Sequence, residues 1–409
     1  MLLAAPFYTG FMNDIQATAA QSATAPYASE LKLAQALVQV DSPSKAEGEV
    51  MRRMLEAFTS LGFDDAYLDK AGNAIGTFKR GEGPTVMFNG HLDTVPTGDP
   101  ALWPHGPLSG EVVDGELWGR GSVDMKSALA CMAFGAKDAV EAGFAGTIIV
   151  SAVVQEEIGG LGARYIGDTV AADVVILGEP SDLNFMLGHR GRLEVHVEVP
   201  GKIAHAAKSE LGDNALYHAA AFLRDLETLP LPMGGPLGRS TLTPTNLRSQ
   251  PETSANVVPG SAQLVLDYRN IPGDEPETIL TQLKALLPNA AFTVDEVTAR
   301  SENGEVELSY SHYIEPYLAP GENRLVEVAR ASLKKSLQQA GVPFEERVWW
   351  FATDAPHLAK TGAPVVGFGP GNENLAHTTN ERVPVRHLEV CRAAYRDLAL
   401  AYSEEAKSD

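Results

Sequence analysis

Cysteine is almost missing from this chain: Cys131 and Cys391 are the only two in 409 residues. Two thiols cannot build a disulfide framework, so the pair reads as small buried hydrophobes of a protein kept in a reducing cytoplasm. Positive charge is also scarce. Against 53 acidic residues stand 32 Lys and Arg, a net charge of −21. Phosphate backbones and anionic lipid surfaces are gripped by clustered positive charge, so neither nucleic acid nor membrane is an expected partner. No apolar run approaches the ~20 residues of a membrane span. The first stretch, MLLAAPFYTGFMNDIQATAA, carries no Lys or Arg ahead of its apolar part, where a signal peptide places its positive region. It reads as a peripheral extension, with Met12 as an alternative start. Internal repeats and low-complexity tracts are lacking too.

The rest is ordinary for a folded soluble chain, 44% apolar and 21% charged, and its length favours two domains. Apolar spacing predicts helix over 28–62, then strand pieces at 66–68, 74–78 and 86–88. A helix is expected at 124–143. The near-continuous apolar runs 146–154 and 173–177 read as strands buried on both faces. Together these give an α/β catalytic domain with a mixed central sheet between helices, over 1–188 and 313–409. Within 189–312 the pattern changes. Residues 192–199 alternate polar and apolar, a helix follows at 213–228, strands at 241–248 and 261–269, a helix at 275–287 and a strand at 291–298. That order predicts an inserted α+β sandwich.

Several apolar runs end in side chains that bind metals. Phe88 leads into His91 and Asp93, two positions apart and so on one side of an extended chain. Trp118 leads to Asp124, Val154 to Glu156 and Glu157, Leu177 to Glu179, and Phe368 to His377. In open α/β sheets ligands bind beyond the carboxyl ends of the strands, which would bring these groups into one crevice. Each alone is weak, because a single His or a Glu pair is more often a hydrogen-bonded or solvated surface feature. Together they carry weight, since carboxylates placed after buried strands are costly without a partner. Two His with several carboxylates suit a zinc-type divalent cation, and one carboxylate more than a single ion needs suggests two ions sharing a bridge. Glu156 and Glu157, as extended neighbours, would point opposite ways, one to metal and one to protons. Asp93 is placed to accept the second imidazole N–H of His91.

The ordered set His91-Leu-Asp93-Thr-Val, Gly119-Arg-Gly-Ser-Val-Asp124-Met-Lys126, Glu156-Glu157, Gly178-Glu179-Pro180 and His377 resembles the acetylornithine deacetylase and succinyl-diaminopimelate desuccinylase family of di-zinc amidohydrolases, relatives of aminoacylases and glutamate carboxypeptidases. The resemblance runs from about residue 30 to 400. It implies that His91 and Glu179 hold one Zn²⁺, Glu157 and His377 the other, and Asp124 bridges them across a hydroxide. It makes Glu156 the general base and acid, with Asp93 behind His91. Co²⁺ or Mn²⁺ could substitute for Zn²⁺.

The insert carries part of the resemblance. His205, in Gly201-Lys-Ile-Ala-His205, is similar to a lid histidine that reaches a partner's site in dimeric members and stabilises the oxyanion, which implies a homodimer through a lid/dimerisation domain at 189–312. A turn histidine is the plainer alternative. Asn256 and Arg269 look like the grip on a substrate carboxylate, although Arg269 could equally pair with Asp267. Gly369 and Gly371 could offer backbone N–H groups to substrate, or simply make a tight turn. Trp349-Trp350-Phe351 could wall a pocket or belong to the core. After His205 the run Ala206-Ala207-Lys208-Ser209-Glu210 departs from the family's Ser and Pro pattern, which bears on substrate contacts rather than on metal chemistry. The expected activity is hydrolysis of an N-acyl-L-amino acid, a small molecule with a free carboxylate. A metallo-carboxypeptidase or dipeptidase, and a metal- or ligand-binding protein without turnover, are the alternatives.

Overall fold

The computed structural model describes residues 27–407; the N-terminal extension and Met12 lie outside them. The expected helix over 28–62 is two helices, Glu30–Val38 and Gly48–Leu61. Pro43 lies between them. It has no N–H to continue a helix and pushes Ser42 out of the helical region. Lys45 then takes a left-handed φ of 76°. Ser29 caps the first helix by accepting the N–H of Lys32.

The large sheet has nine strands. In spatial order they run Asp65–Leu68, Ala74–Arg80, Gly146–Val153, Thr85–His91, Val174–Leu177, Val365–Gly367, Phe185–His189 and Tyr317–Leu318, with Glu346–Trp349 also paired to Phe185–His189. The four neighbours Gly146–Val153, Thr85–His91, Val174–Leu177 and Val365–Gly367 are parallel. Ala74–Arg80 and Asp65–Leu68 join antiparallel, so the sheet is mixed. Both faces are covered. Val86 and Phe88 enter the core shared with helices Lys126–Glu141 and Val385–Glu405. Met87, between them, packs on the other face with Ala163 and Ile166 of helix Leu161–Thr169. Period-2 side chains buried both ways are what a near-continuous apolar strand encodes.

A second, five-stranded antiparallel sheet orders Thr241–Gln250, Ser261–Arg269, Arg192–Pro200 and Ala291–Thr293, with Tyr313–Ile314 also on Arg192–Pro200. Leu193, Val195, Val197 and Val199 are buried against Phe222, Ile279 and Leu283 of helices Ala215–Leu226 and Pro276–Leu286. Polar residues between them take the other face, which explains the alternation. The single strand expected at 291–298 is two. Ala291–Thr293 stays in this sheet, whereas Glu296–Arg300 forms a hairpin with Glu307–Ser311. Ala299 and Val306 of that hairpin pack into the core of the large sheet, a burial available only if the chain leaves the smaller sheet at Val294–Asp295.

Candidate active site

The four parallel strands end on the same side, and the chain after each carries a polar group into one crevice. His91 closes Thr85–His91, Glu156 and Glu157 follow Gly146–Val153, Glu179 follows Val174–Leu177, and His377 follows Val365–Gly367. Asp124 enters from the turn ahead of helix Lys126–Glu141. His91 Nε2 lies 2.9 Å from Asp124 Oδ1 and 3.7 Å from Glu179 Oε1. His377 Nε2 lies 3.2 Å from Asp124 Oδ2 and 3.0 Å from Glu157 Oε1. Asp124 thus presents one oxygen to each histidine. Ligand-type atoms of His91, Asp124 and Glu157 lie within 4.8 Å of one another, and so do those of His91, Glu156 and Glu179.

Glu156 and Glu157 do not diverge as neighbours on an extended strand. They begin a single 3₁₀ turn, Glu156–Ile158, entered through Gln155 at φ 58°. The turn is what sends Glu157 toward His377 and Glu156 toward Glu179. Asp93 supports it: Oδ1 accepts the N–H of Glu156 at 3.0 Å and Oδ2 that of Glu157 at 3.2 Å. The Nδ1 of His91 meets the backbone carbonyl of Asp93 at 2.9 Å, with the Asp93 carboxylate 3.5 Å away. The main chain, more than the carboxylate, therefore orients the imidazole.

The electrostatics follow from packing acids against two imidazoles. Burial, then the Asp124 charge, raise Glu179 well above the usual carboxylate range. Burial, then Glu179, do the same to Glu156. Burial works against protonating His91, but the carboxylates of Asp124 and Asp93 outweigh it and hold the imidazole well above its ordinary value. Hydrogen bonds to Asp124 and Glu157 push His377 up to about 10. Both histidines gather positive charge for a crevice that has too little of it, and Glu179 Oε1 is buried with no hydrogen-bond partner among the described residues. This donor set of carboxylates and imidazoles fits divalent cations.

Sequence reasoning missed several supporting groups. Glu381 is fully buried; Arg120 Nη1 donates to it at 2.5 Å, and the N–H groups of Val123 and Asp124 donate to its other oxygen at 3.0 and 3.2 Å. Its signal was Arg120 beside Asp124, a cation that a buried turn must pair. Asp354 is buried beside Gly160 with one oxygen unpartnered among the described residues, and burial raises its carboxyl to about 7. Ser44 and Glu47 fall inside the helix expected over 28–62 but lie in the break between helices.

The remaining expected residues sit elsewhere. His205 is exposed, and its Nδ1 accepts the N–H of Ala207. Asn256 is exposed, and its carbonyl accepts from Ala206. Arg269 donates from Nε and Nη2 to both oxygens of Asp267, at 2.6 and 3.1 Å. Among the described residues, no hydrogen bond or ion pair joins these three to the crevice. Gly369 and Gly371, expected to offer N–H groups to substrate or to make a tight turn, both meet acceptors within the chain in this structure. Gly369 N–H donates to Ser181 Oγ at 2.9 Å and Gly371 N–H to His387 Nδ1 at 3.2 Å. Gly369 is needed for close approach instead, because a Cβ there would come 2.4 Å from the carbonyl oxygens of Gly178 and Glu179.

Residues 87–401 match the peptidase family M20/M25/M40. The uncharacterized protein YgeY of Escherichia coli (strain K12) is 30% identical over 90% of this chain and 92% of its own length. A succinyl-diaminopimelate desuccinylase of Hydrogenovibrio crunogenus is 26% identical over 90% of this chain and 97% of its own. Among solved structures, the M20 family metallo-carboxypeptidase Sso-CP2 of Sulfolobus solfataricus superposes with a TM-score of 0.72 at 19% identity, covering 92% of this chain and 100% of that one.

Proposed function

The chain belongs to peptidase family M20/M25/M40 and is a hydrolase of C–N bonds acting on a small molecule, and on that premise we propose that it removes the acyl group from an N-acyl-L-amino acid. The observation that carries this reading is the meeting of His91, Asp124, Glu157, Glu179 and His377 around one crevice with Glu156 among them. His91 and Glu179 would hold one divalent cation, Glu157 and His377 a second, with Asp124 shared, zinc being the metal proposed. A pair of such ions supplies Lewis acidity at the scissile carbonyl and lowers the pKa of water.

The chain's own residues do the rest. Glu156 takes a proton from the attacking water and returns it to the departing amine, a task suited to a carboxyl whose basicity burial has raised. Asp93 fixes the turn that aims it. Asn256 and Arg269 grip the substrate carboxylate, Arg269 exchanging Asp267 for it through the same bidentate fork. His205, exposed on the insert, donates to the developing oxyanion in the crevice of a second copy, so residues 189–312 act as lid and dimerisation unit. Tyr217 and Leu247, 77% and 44% exposed on that unit, support a homodimer. A cytoplasmic setting accords with Cys131 and Cys391 being buried free thiols.

The test is turnover of N-acetyl and N-succinyl amino acids against dipeptides, with metal-stripped and zinc-restored enzyme. Zinc-dependent release of the acyl group, faster than cleavage of any dipeptide, is the expected outcome. Faster dipeptide cleavage favours the metallo-carboxypeptidase or dipeptidase reading, to which the likeness to Sso-CP2 lends support. Metal binding with no turnover favours a binding protein. Glu156→Gln is expected to lose ~10²–10⁴ in kcat with zinc content unchanged.

A further inference from the structure

The break between the first two helices runs directly behind the crevice. Ser42 Oγ donates to the carbonyl of Leu92 at 2.7 Å, and Thr94 N–H returns to the carbonyl of Ser42 at 2.9 Å. Ser44 Oγ donates to Asp93 Oδ2 at 2.7 Å, the oxygen that also accepts the N–H of Glu157. Three residues on, Glu47 Oε1 accepts the N–H of Gln155 at 3.1 Å. Glu47 and Gln155 are each 1% exposed. From the opposite side, Gln155 Nε2 donates to the carbonyl of Arg300 in the hairpin at 2.9 Å.

Gln155 is therefore pinned at both main chain and side chain in a conformation that residues other than glycine rarely adopt, φ 58° and ψ 34°. Such a conformation persists only when its surroundings over-determine it. Without the Glu47 carboxylate, a buried N–H at Gln155 would lose its acceptor, and the turn could relax toward an ordinary extended path. That path would swing Glu156 and Glu157 away from His91 and His377.

We propose that the segment Ser42–Glu47 is a strap in which Ser44 and Glu47 are positioning residues: Glu47 acts through Gln155, and Ser44 through Asp93, to set the turn that carries Glu156 and Glu157. Among the described residues, no hydrogen bond joins Ser44 or Glu47 to the side chains of His91, Asp124, Glu156, Glu157, Glu179 or His377. The inference rests on the roles proposed above for Glu156 and Glu157.

Three full-length variants test it: Glu47→Ala, Glu47→Gln, which keeps a carbonyl acceptor, and Ser44→Ala. Two independent readouts are needed. Amide hydrogen exchange over 155–157 in the metal-free chain reports the turn itself, and kcat and KM of the zinc-loaded enzyme report its consequence. In Glu47→Ala, exchange over 155–157 is expected to quicken by about tenfold or more, with helix Leu161–Thr169 unchanged. Its kcat is expected to fall ~10–100-fold, as for other residues that orient ligands, with KM nearly constant. Glu47→Gln recovers most of both, and Ser44→Ala shifts both in the same direction by less. Unaltered exchange over 155–157 in Glu47→Ala overturns the strap, as does faster exchange with unaltered kcat. Equal losses in Glu47→Ala and Glu47→Gln that merely track the folded fraction also overturn it. Should Glu47→Ala fail to fold, Ser44→Ala decides by the same pair of readouts. If Glu156→Gln retains full turnover, the role given to Glu156 fails instead, while exchange over 155–157 still judges the strap on its own.

Discussion

The crevice and the surface of the insert carry similar side chains under opposite conditions. In the crevice, His91, Asp93 and Glu179 are each at most 2% exposed, Asp124 and Glu157 meet imidazoles, and Asp93 accepts two backbone N–H groups. On the insert, His205 and Asn256 stand in solvent, and Arg269 is occupied by its neighbour Asp267. Buried charges must be held in place or they destabilise the fold, whereas exposed ones cost little and do little until something covers them. The difference separates two kinds of chemistry. The crevice is built in the single chain. The contribution proposed for the insert would require a further event, either closure, a second copy, or substrate displacing Asp267.

Removing the metal should break this comparison most completely. Prolonged chelation is expected to abolish turnover, and zinc, cobalt or manganese to restore it, followed by metal analysis and rate on one sample. If the chelated, metal-free chain keeps its rate, the crevice is not the site. The next largest effect is expected at His205. His205→Ala should lose on the order of 10²–10³ in kcat with metal content intact. Mixing His205→Ala with Glu156→Gln then sharpens the contrast. Each alone is nearly inactive, but a mixed dimer contains one crevice with Glu156 that receives His205 from the other chain. Activity regained on mixing places His205 in the neighbouring copy's site; a mixture no more active than its parts confines it to its own chain.

These two regions were also unequally legible in the sequence. The crevice could be read because acids and histidines directly after buried strands have few inexpensive explanations, and strand ends in a parallel sheet share an edge. The supports behind it could not. Glu381 meets Arg120 across 261 positions, and Ser44 and Glu47 serve Asp93 and Gln155 from a segment whose flanking helices masked the break. Side chains that bond to backbone N–H groups leave no periodic trace. Pro43 was the one visible sign that the helical pattern had to stop. The insert's alternation was legible for its sheet, but the departure at Val294–Asp295 was not, because a strand that changes sheets keeps its period of two. Backbone N–H groups such as those of Gly369 and Gly371 are equally silent: glycine signals close approach, not which acceptor the amide finds.

Arg269 offers a smaller and more discriminating test. As the substrate-carboxylate grip, Arg269→Lys would lose the bidentate geometry, and KM is expected to rise on the order of 10-fold or more, for a charge-assisted contact of about 1.5–3 kcal/mol, while kcat changes little. Asp267→Asn should act oppositely. It weakens the competitor for the guanidinium and is expected to lower KM. If both substitutions leave KM alone and only reduce thermal stability, Arg269 is a structural partner of Asp267 and the substrate carboxylate is held elsewhere.

The smallest effect on turnover is expected at His189, which lies where the two regions join. It ends strand Phe185–His189 of the large sheet. Its Nδ1–H donates to the carbonyl of Arg190 at 2.9 Å, and Nε2 accepts the N–H of Thr353 at 3.3 Å. Burial pushes its pKa down to about 4, against about 6.5 in an unfolded chain. The unfolded state therefore takes up this proton first as pH falls. The stability held by neutral His189 is present above pH ~6.5 and is lost progressively between ~6.5 and ~4. Between pH 7 and pH 5 the loss amounts to about 2 kcal/mol. His189→Gln retains an acceptor and a donor but cannot titrate. At pH 7 its kcat should be close to that of the parent enzyme, because among the described residues no hydrogen bond or ion pair joins it to His91, Asp124, Glu156, Glu157, Glu179 or His377. Urea unfolding at pH 7 and pH 5 should show the variant losing less stability than the parent across that interval. Parallel losses in the two proteins would mean that His189 is already protonated in the folded chain at pH 5, and that the joint between the sheets is open to water.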